Sequence, residues 1–184
     1  MSLRNRWISL LRRTAASTRK TRIVLTPIGF VIFGTFPALF VLAGIWVDRL
    51  LGLPGLLPDA ARLPVSLPLI AAGFFVTTWS VVHFSKVKGT PVPFNPPPKV
   101  VKTGPYRYIR NPMLGGVFLF LFGIGFAINS ISLVAFFSPL YVSINVWELK
   151  NIEEPELMKR LGDEYIEYRN QTPMFIPGRS PGSK

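Results

Sequence analysis

The sequence predicts an all-α protein, a polytopic membrane helical bundle with four transmembrane helices. An N-terminal interfacial helix precedes the bundle and a C-terminal cytosolic helix follows it. Three observations predict this class. Charged residues make up only 16% of the chain, against roughly 25% in a soluble domain. Hydrophobic residues reach 49%, with 15 Phe among them. The Lys and Arg residues flank long uncharged runs, as they do around membrane spans.

The 184 residues suit a single membrane domain, 1–184. The net charge of +12 does not point to nucleic acid, because a nucleic-acid binder gathers its basic side chains on a folded polar surface. There is no cysteine, which excludes a disulfide, a thiolate metal site and a cysteine nucleophile. No secretory signal is evident, since the first apolar run is long and no small-residue cleavage pattern follows it.

Residues 1–22 carry seven of the 21 basic side chains and no acid. Leu3, Trp7, Leu10, Leu11 and Ala15 recur there at helical spacing, with Arg4, Arg6, Arg12 and Arg13 elsewhere. That pattern predicts a helix lying on an anionic membrane surface; a basic tail that only sets topology is the other reading. The first span is Ile23–Val47, closed by Asp48 and Arg49, with Pro37 inside it as a site of kinking. Leu50–Pro68, rich in Pro and Gly, reads as a loop at the far interface with room for a fifth, re-entrant element. The second span is Leu67–Phe84, with His83, the sole histidine, read as an interfacial side chain and not as a catalyst.

Ser85–Pro98 is a connecting loop whose five prolines forbid helix and favour a stiff extended strap. Pro112–Asn129 and Ile131–Trp147 are short apolar runs of about 17 residues, near the lower limit for crossing a bilayer. Asn129-Ser130 leaves almost no loop between them, which predicts a helical hairpin. The bundle thus occupies 23–150. Residues 151–184 form the cytosolic helix, to about Arg169, and a Pro/Gly-rich tail.

Charge fixes the orientation. Residues 1–22, 85–111 and 150–184 hold all the basic side chains except Arg49 and Arg62. The positive-inside rule then places both termini in the cytoplasm, with the chain integral to a bacterial-type inner (cytoplasmic) membrane.

Two polar stretches share that face. In Val101–Gly116, Gly104-Pro105 makes a turn, and Tyr106, Arg107, Tyr108 and Arg110 follow closely. Asn111-Pro112 opens a membrane helix, with Asn111 as a natural cap. Free amides at a helix start suit an anionic group, and Gly115-Gly116 permit close backbone approach. An aromatic and cationic interface belt, with small residues for helix packing, fits the same residues. The second stretch is Trp147–Glu154. Acids beside a bilayer are costly and tend to be functional. Glu153 and Glu154 could receive a cofactor ammonium or pair with Arg110, while Lys150 offers Glu154 an ordinary i,i+4 partner.

The segments G-P-Y-R-Y-I-R-N-P-M-L-G-G, E-E-P-E-L-M-K-R-L-G-D-E-Y-I-E-Y and P-M-F-I-P together resemble the isoprenylcysteine carboxyl methyltransferase and phospholipid methyltransferase superfamily of integral membrane methyltransferases. Its pattern is R-H-P-x-Y-x-G opening a membrane helix, then Glu-Glu and a G-x-x-Y-x-x-Y helix. The similarity covers Thr90–Pro177.

The resemblance implies S-adenosylmethionine as cofactor and a lipophilic small-molecule acceptor entering from the membrane lipids. It places Val100, Val101 and Tyr106 along the cofactor, Asn111, Pro112 and Leu114 at its amino-acid end, and Glu153 on its ammonium. Arg110 and Glu154 complete the cofactor-binding set. The chain departs from the pattern at Asn111, where the family has His, and at Leu114, where it has Tyr. Asparagine does not titrate near neutral pH, so no general base is assigned. Leu149 stands where prenylcysteine enzymes tend to have Arg, which leaves a carboxylate acceptor without a clamp. An amine, phenol or thiol on a lipid is at least as suitable. Two further readings stand beside this one: a non-catalytic relative that binds lipid or a partner, and an NADPH-dependent protein like the sterol reductases.

Overall fold

The computed structural model describes residues 19–86 and 99–178, and every regular element among them is helical. Helix α1 is Arg19–Leu51 and α2 is Asp59–Lys86. A 3₁₀ turn at Gly104–Arg107 precedes α3, Pro112–Ala127. A π-turn at Leu133–Phe137 leads into α4, Ser138–Glu148. A second π-turn, Leu149–Glu153, leads into α5, Glu154–Leu161, and α6 is Asp163–Gln171.

Each π-turn ends two residues before a proline, Pro139 and Pro155. Proline has no N–H, and its ring presses on the carbonyl four residues back. The widened turn relieves that pressure by reaching one residue further. Ser138 N–H donates to Leu133 O, and Glu154 N–H donates to Leu149 O.

The chain divides into two compact units. The first takes Met1–Phe33, Trp79–Asn111 and Trp147–Lys184, and the second takes Gly34–Thr78 and Pro112–Val146.

The second unit is mostly apolar. Its core is Tyr141, 1% exposed, ringed by Phe36, Phe40 and Phe118 at centroid distances of 5.4, 5.2 and 5.9 Å. A Cβ at Gly73 would come within 2.6 Å of Gly116 O, so bare backbone is what lets these two helices approach. Leu39, Leu42, Trp46, Phe74, Phe75 and Phe136 are all exposed, a surface suited to lipid and not to water. Asn129, at φ 60°, turns the chain from α3 into the helical stretch that opens at Ile131, giving the hairpin that the sequence predicts. Its side chain clamps Leu57: Leu57 N–H donates to Asn129 Oδ1 at 2.8 Å, and Asn129 Nδ2 donates to Leu57 O at 2.9 Å.

Among the described residues, two helices are long and apolar enough to cross a bilayer, at Gly34–Leu51 and Asp59–Phe84; Pro112–Ala127 is a shorter apolar helix. Several expectations need correction. Leu50–Pro68 is not a loop: only residues 52–58 lie between α1 and α2. The prolines misled, because Pro64 and Pro68 sit inside α2 where apolar surroundings tolerate them. The early start is secured by Asp59 in the first turn, paired with Arg62 at 3.0 Å, while Arg62 also donates to Ala127 O at 2.7 Å. The helix of the first span begins at Arg19, not Ile23, and the interfacial helix expected over 1–22 otherwise lies outside the described residues. So does most of the Ser85–Pro98 strap, α2 running on to Lys86. The tail helix is broken at Gly162, whose φ of 61° and ψ of −142° separate α5 from α6.

Candidate functional site

The first unit holds Val101–Asn111 and Trp147–Gly178 together. Its foundation is Arg110, 9% exposed. Arg110 Nε donates to Glu154 Oε1 at 3.1 Å, and Nη2 donates to the same oxygen. Nη1 donates to Arg169 O at 2.9 Å and to Thr172 O. A buried guanidinium needs this many acceptors, because each unmet donor is costly away from water. Of the two partners the sequence allowed Glu154, the structure takes Arg110 and not Lys150.

The segment 172–174 straps Arg110 and Asn111. Arg110 N–H donates to Pro173 O at 2.9 Å, and Asn111 N–H donates to Met174 O at 3.2 Å. One amide of the expected helix-start anion site is thus already in use. Pro173 cannot extend α6, so the chain leaves the helix there with its carbonyl free to accept.

Tyr106 is carried by the 3₁₀ turn and is 5% exposed. Its carbonyl accepts Tyr168 Oη at 2.6 Å, and its ring lies 5.2 Å from that of Phe84. Its own hydroxyl is hydrogen-bonded to the Ser80 side chain; burial first, then the nearby Tyr168 and Glu153, push the phenol upward. Burial also raises Tyr165 and Tyr168, which stay neutral phenols able to donate. Gly104 has φ 61°, and a Cβ there would run into the His83 imidazole. His83 Nδ1 donates to Trp79 O at 3.0 Å, so the lone histidine packs under the turn as a structural ring.

Glu153 differs from its neighbour. Glu154 is buried, whereas Glu153 keeps accessible surface. Desolvation nevertheless pushes Glu153 up to about 8, helped by the carboxylates of Glu148, Glu156 and Glu154 and opposed by Arg160. Accessible surface and a desolvating surround pull in different directions. The three neighbouring carboxylates keep the direction upward at an exposed position. Such a site suits a cation.

Of the sequence candidates, Val101, Tyr106, Arg110 and Glu154 are buried, while Val100 and Asn111 are half-buried. Pro112 and Leu114 open α3 and belong to the second unit, Pro112 fully buried and Leu114 half-buried. The sequence reading missed Tyr168, Ser80 and the Thr172–Met174 strap as supports, although P-M-F-I-P was a visible signal.

A search of the curated proteins returned no match. The family model for phospholipid methyltransferases matches residues 61–164, more than half of the chain. The match takes in α2 from Ala61 onward, the turn bearing Tyr106, the Arg110–Glu154 pair and Glu153. The chain belongs to the phospholipid methyltransferase family.

Proposed function

We propose that the protein is an S-adenosylmethionine-dependent methyltransferase of the cytoplasmic membrane, acting on a small lipophilic acceptor. The chain 1–184 is read as one membrane domain of four spans with both termini cytoplasmic, supported by the placement of its Lys and Arg residues. The single observation that carries the reading is Glu153. It is an accessible carboxylate in a desolvated, acid-rich setting, and the family match extends across it.

The residues present fit the cofactor. When bound, it supplies an electrophilic methyl group on a positively charged sulfur. Glu153 would hold the ammonium of its amino-acid end. Arg110 is committed to Glu154 and to two carbonyls, so its part is to fix the geometry and not to clamp a carboxylate. Val101 and Tyr106 would give the cofactor an apolar wall, with Val100 beside them. Catalysis then rests on alignment of methyl and acceptor and on exclusion of water. Asn111 offers a donor and an acceptor without titrating near neutral pH. A lipid amine, phenol or thiol suits this site better than a carboxylate, which would meet the carboxylates of Glu148, Glu153 and Glu156.

The test is transfer of a labelled methyl group from S-adenosylmethionine into a membrane lipid extract, with the product identified by mass. A labelled lipid that depends on Glu153 supports the reading. No labelled lipid, with cofactor in excess, sinks it.

A further inference from the structure

Tyr106, Tyr165 and Tyr168 are the buried tyrosines of the first unit. Two of them have their hydroxyls engaged inside the protein. Tyr106 Oη is hydrogen-bonded to the Ser80 side chain, and Tyr168 Oη donates to Tyr106 O. Tyr165 is 5% exposed, and its hydroxyl makes no hydrogen bond among the described residues. Nor is that hydroxyl sealed in. Ser138 Oγ is the only buried side-chain polar atom among the described residues that is closed to solvent and unpartnered. Tyr165 thus has a buried ring and a reachable, unpaired tip, whereas a buried phenol ordinarily finds a partner.

The fold brings that tip to the acids of the site. Gly162 turns the chain from α5 into α6. Tyr165 and Tyr168, three residues apart on α6, share a face with ring centroids 6.2 Å apart. Burial first, then the charges of Glu154 and Glu153, push the Tyr165 phenol up, and Arg110 opposes them. The hydroxyl therefore keeps its proton and serves as a neutral donor within reach of those charges. The cations nearby are differently placed. Arg110 is held by Glu154, Arg169 O and Thr172 O, and Arg160 Nε donates to Glu156 Oε1 at 3.0 Å. Lys150 is exposed and offers a hydrated charge on a flexible stem, with no fixed direction. A neutral O–H can serve an anion without competing for the Glu153 carboxylate, which a cation would do.

We propose that Tyr165 is a cofactor-binding residue whose phenolic O–H donates to the carboxylate of the cofactor's amino-acid end, beside the ammonium on Glu153. Ammonium and carboxylate share one carbon, so a donor close to Glu153 meets both. The zwitterion also brings its own cation to Glu153, which the carboxylate of an acceptor lipid would not. The inference rests on the cofactor reading above and adds to it a residue and the group that it holds.

The experiment compares the intact protein with Tyr165→Phe, using S-adenosylhomocysteine and its decarboxylated analogue as probes. The analogue keeps the ammonium and lacks the carboxylate. Because the hydroxyl has no partner in the protein, the unfolding midpoint of Tyr165→Phe should equal that of the original, unlike that of Tyr168→Phe. Affinity for S-adenosylhomocysteine should fall about tenfold, the loss of one charge-assisted hydrogen bond. Affinity for the decarboxylated analogue should not change. Weakening of the analogue by as much as S-adenosylhomocysteine, or no weakening of either, overturns the proposal. So does a midpoint that drops as far as that of Tyr168→Phe, or a variant that fails to fold, since the hydroxyl would then serve the fold. If the unmodified chain binds neither probe, the cofactor reading fails first and this contact falls with it.

Discussion

Arg110 sets two of its nitrogens, Nε and Nη2, against one oxygen of Glu154. Both side chains are nearly closed off from solvent, at 6% and 11% exposure. Such a pair is costly to break because the survivor stays buried and charged. Glu154→Gln should therefore lower stability by about 3–5 kcal/mol, read by unfolding in detergent. Replacing both residues together with apolar ones should recover most of that loss. A Glu154→Gln protein as stable as the original would show that the pair is not what holds the first unit.

Tyr168 Oη donates to Tyr106 O at 2.6 Å in a buried setting. Tyr168→Phe leaves that carbonyl without its donor, a loss of about 1–3 kcal/mol. The same change should weaken cofactor binding, since the turn that presents Tyr106 is loosened. Unfolding and calorimetry on one preparation check both effects.

Gly104 combines a left-handed backbone with contact on His83. Gly104→Ala should be destabilising through both strain and collision. Adding His83→Ala removes the collision but leaves the conformational term, about 1–2 kcal/mol. The double variant should thus be more stable than Gly104→Ala alone. Simple additivity of the two losses would contradict the contact.

Much of this was legible in the sequence, and the failures share a cause. Uncharged runs and basic flanks pointed to the apolar helices, and Asn129-Ser130 pointed to the hairpin. Arg110 could be named as one possible partner of Glu154, beside Lys150 at i,i+4, because both polar stretches fall on one face; the structure takes Arg110. Prolines were harder. The same residue type breaks a helix in water, sits inside α2 at Pro64 and Pro68, and widens a turn before Pro139 and Pro155. Which outcome prevails depends on neighbouring acceptors that no local pattern encodes. The strap at Pro173 and Met174 likewise joins residues too distant in sequence to be paired by spacing.

The raised Glu153 gives a pH signature. Its carboxyl ionises near the ordinary 4.5 in the unfolded chain and near 8 in the folded one. Between those values the folded state holds the extra proton, so stability falls as pH rises through the window. Above the window the loss is complete. Glu153→Gln should flatten the stability profile across it. Cation binding should run the other way, strengthening as Glu153 ionises.

The central claim is that Glu153 receives the ammonium of S-adenosylmethionine. Calorimetric titration of the purified protein with S-adenosylmethionine, beside Glu153→Gln, tests it most directly. The original protein should bind, and the variant should lose about 1.5–3 kcal/mol of binding free energy, the worth of one charge-assisted contact. Its unfolding midpoint near neutral pH should not fall. Equal affinity in the two proteins, or no binding by the original, would contradict the claim.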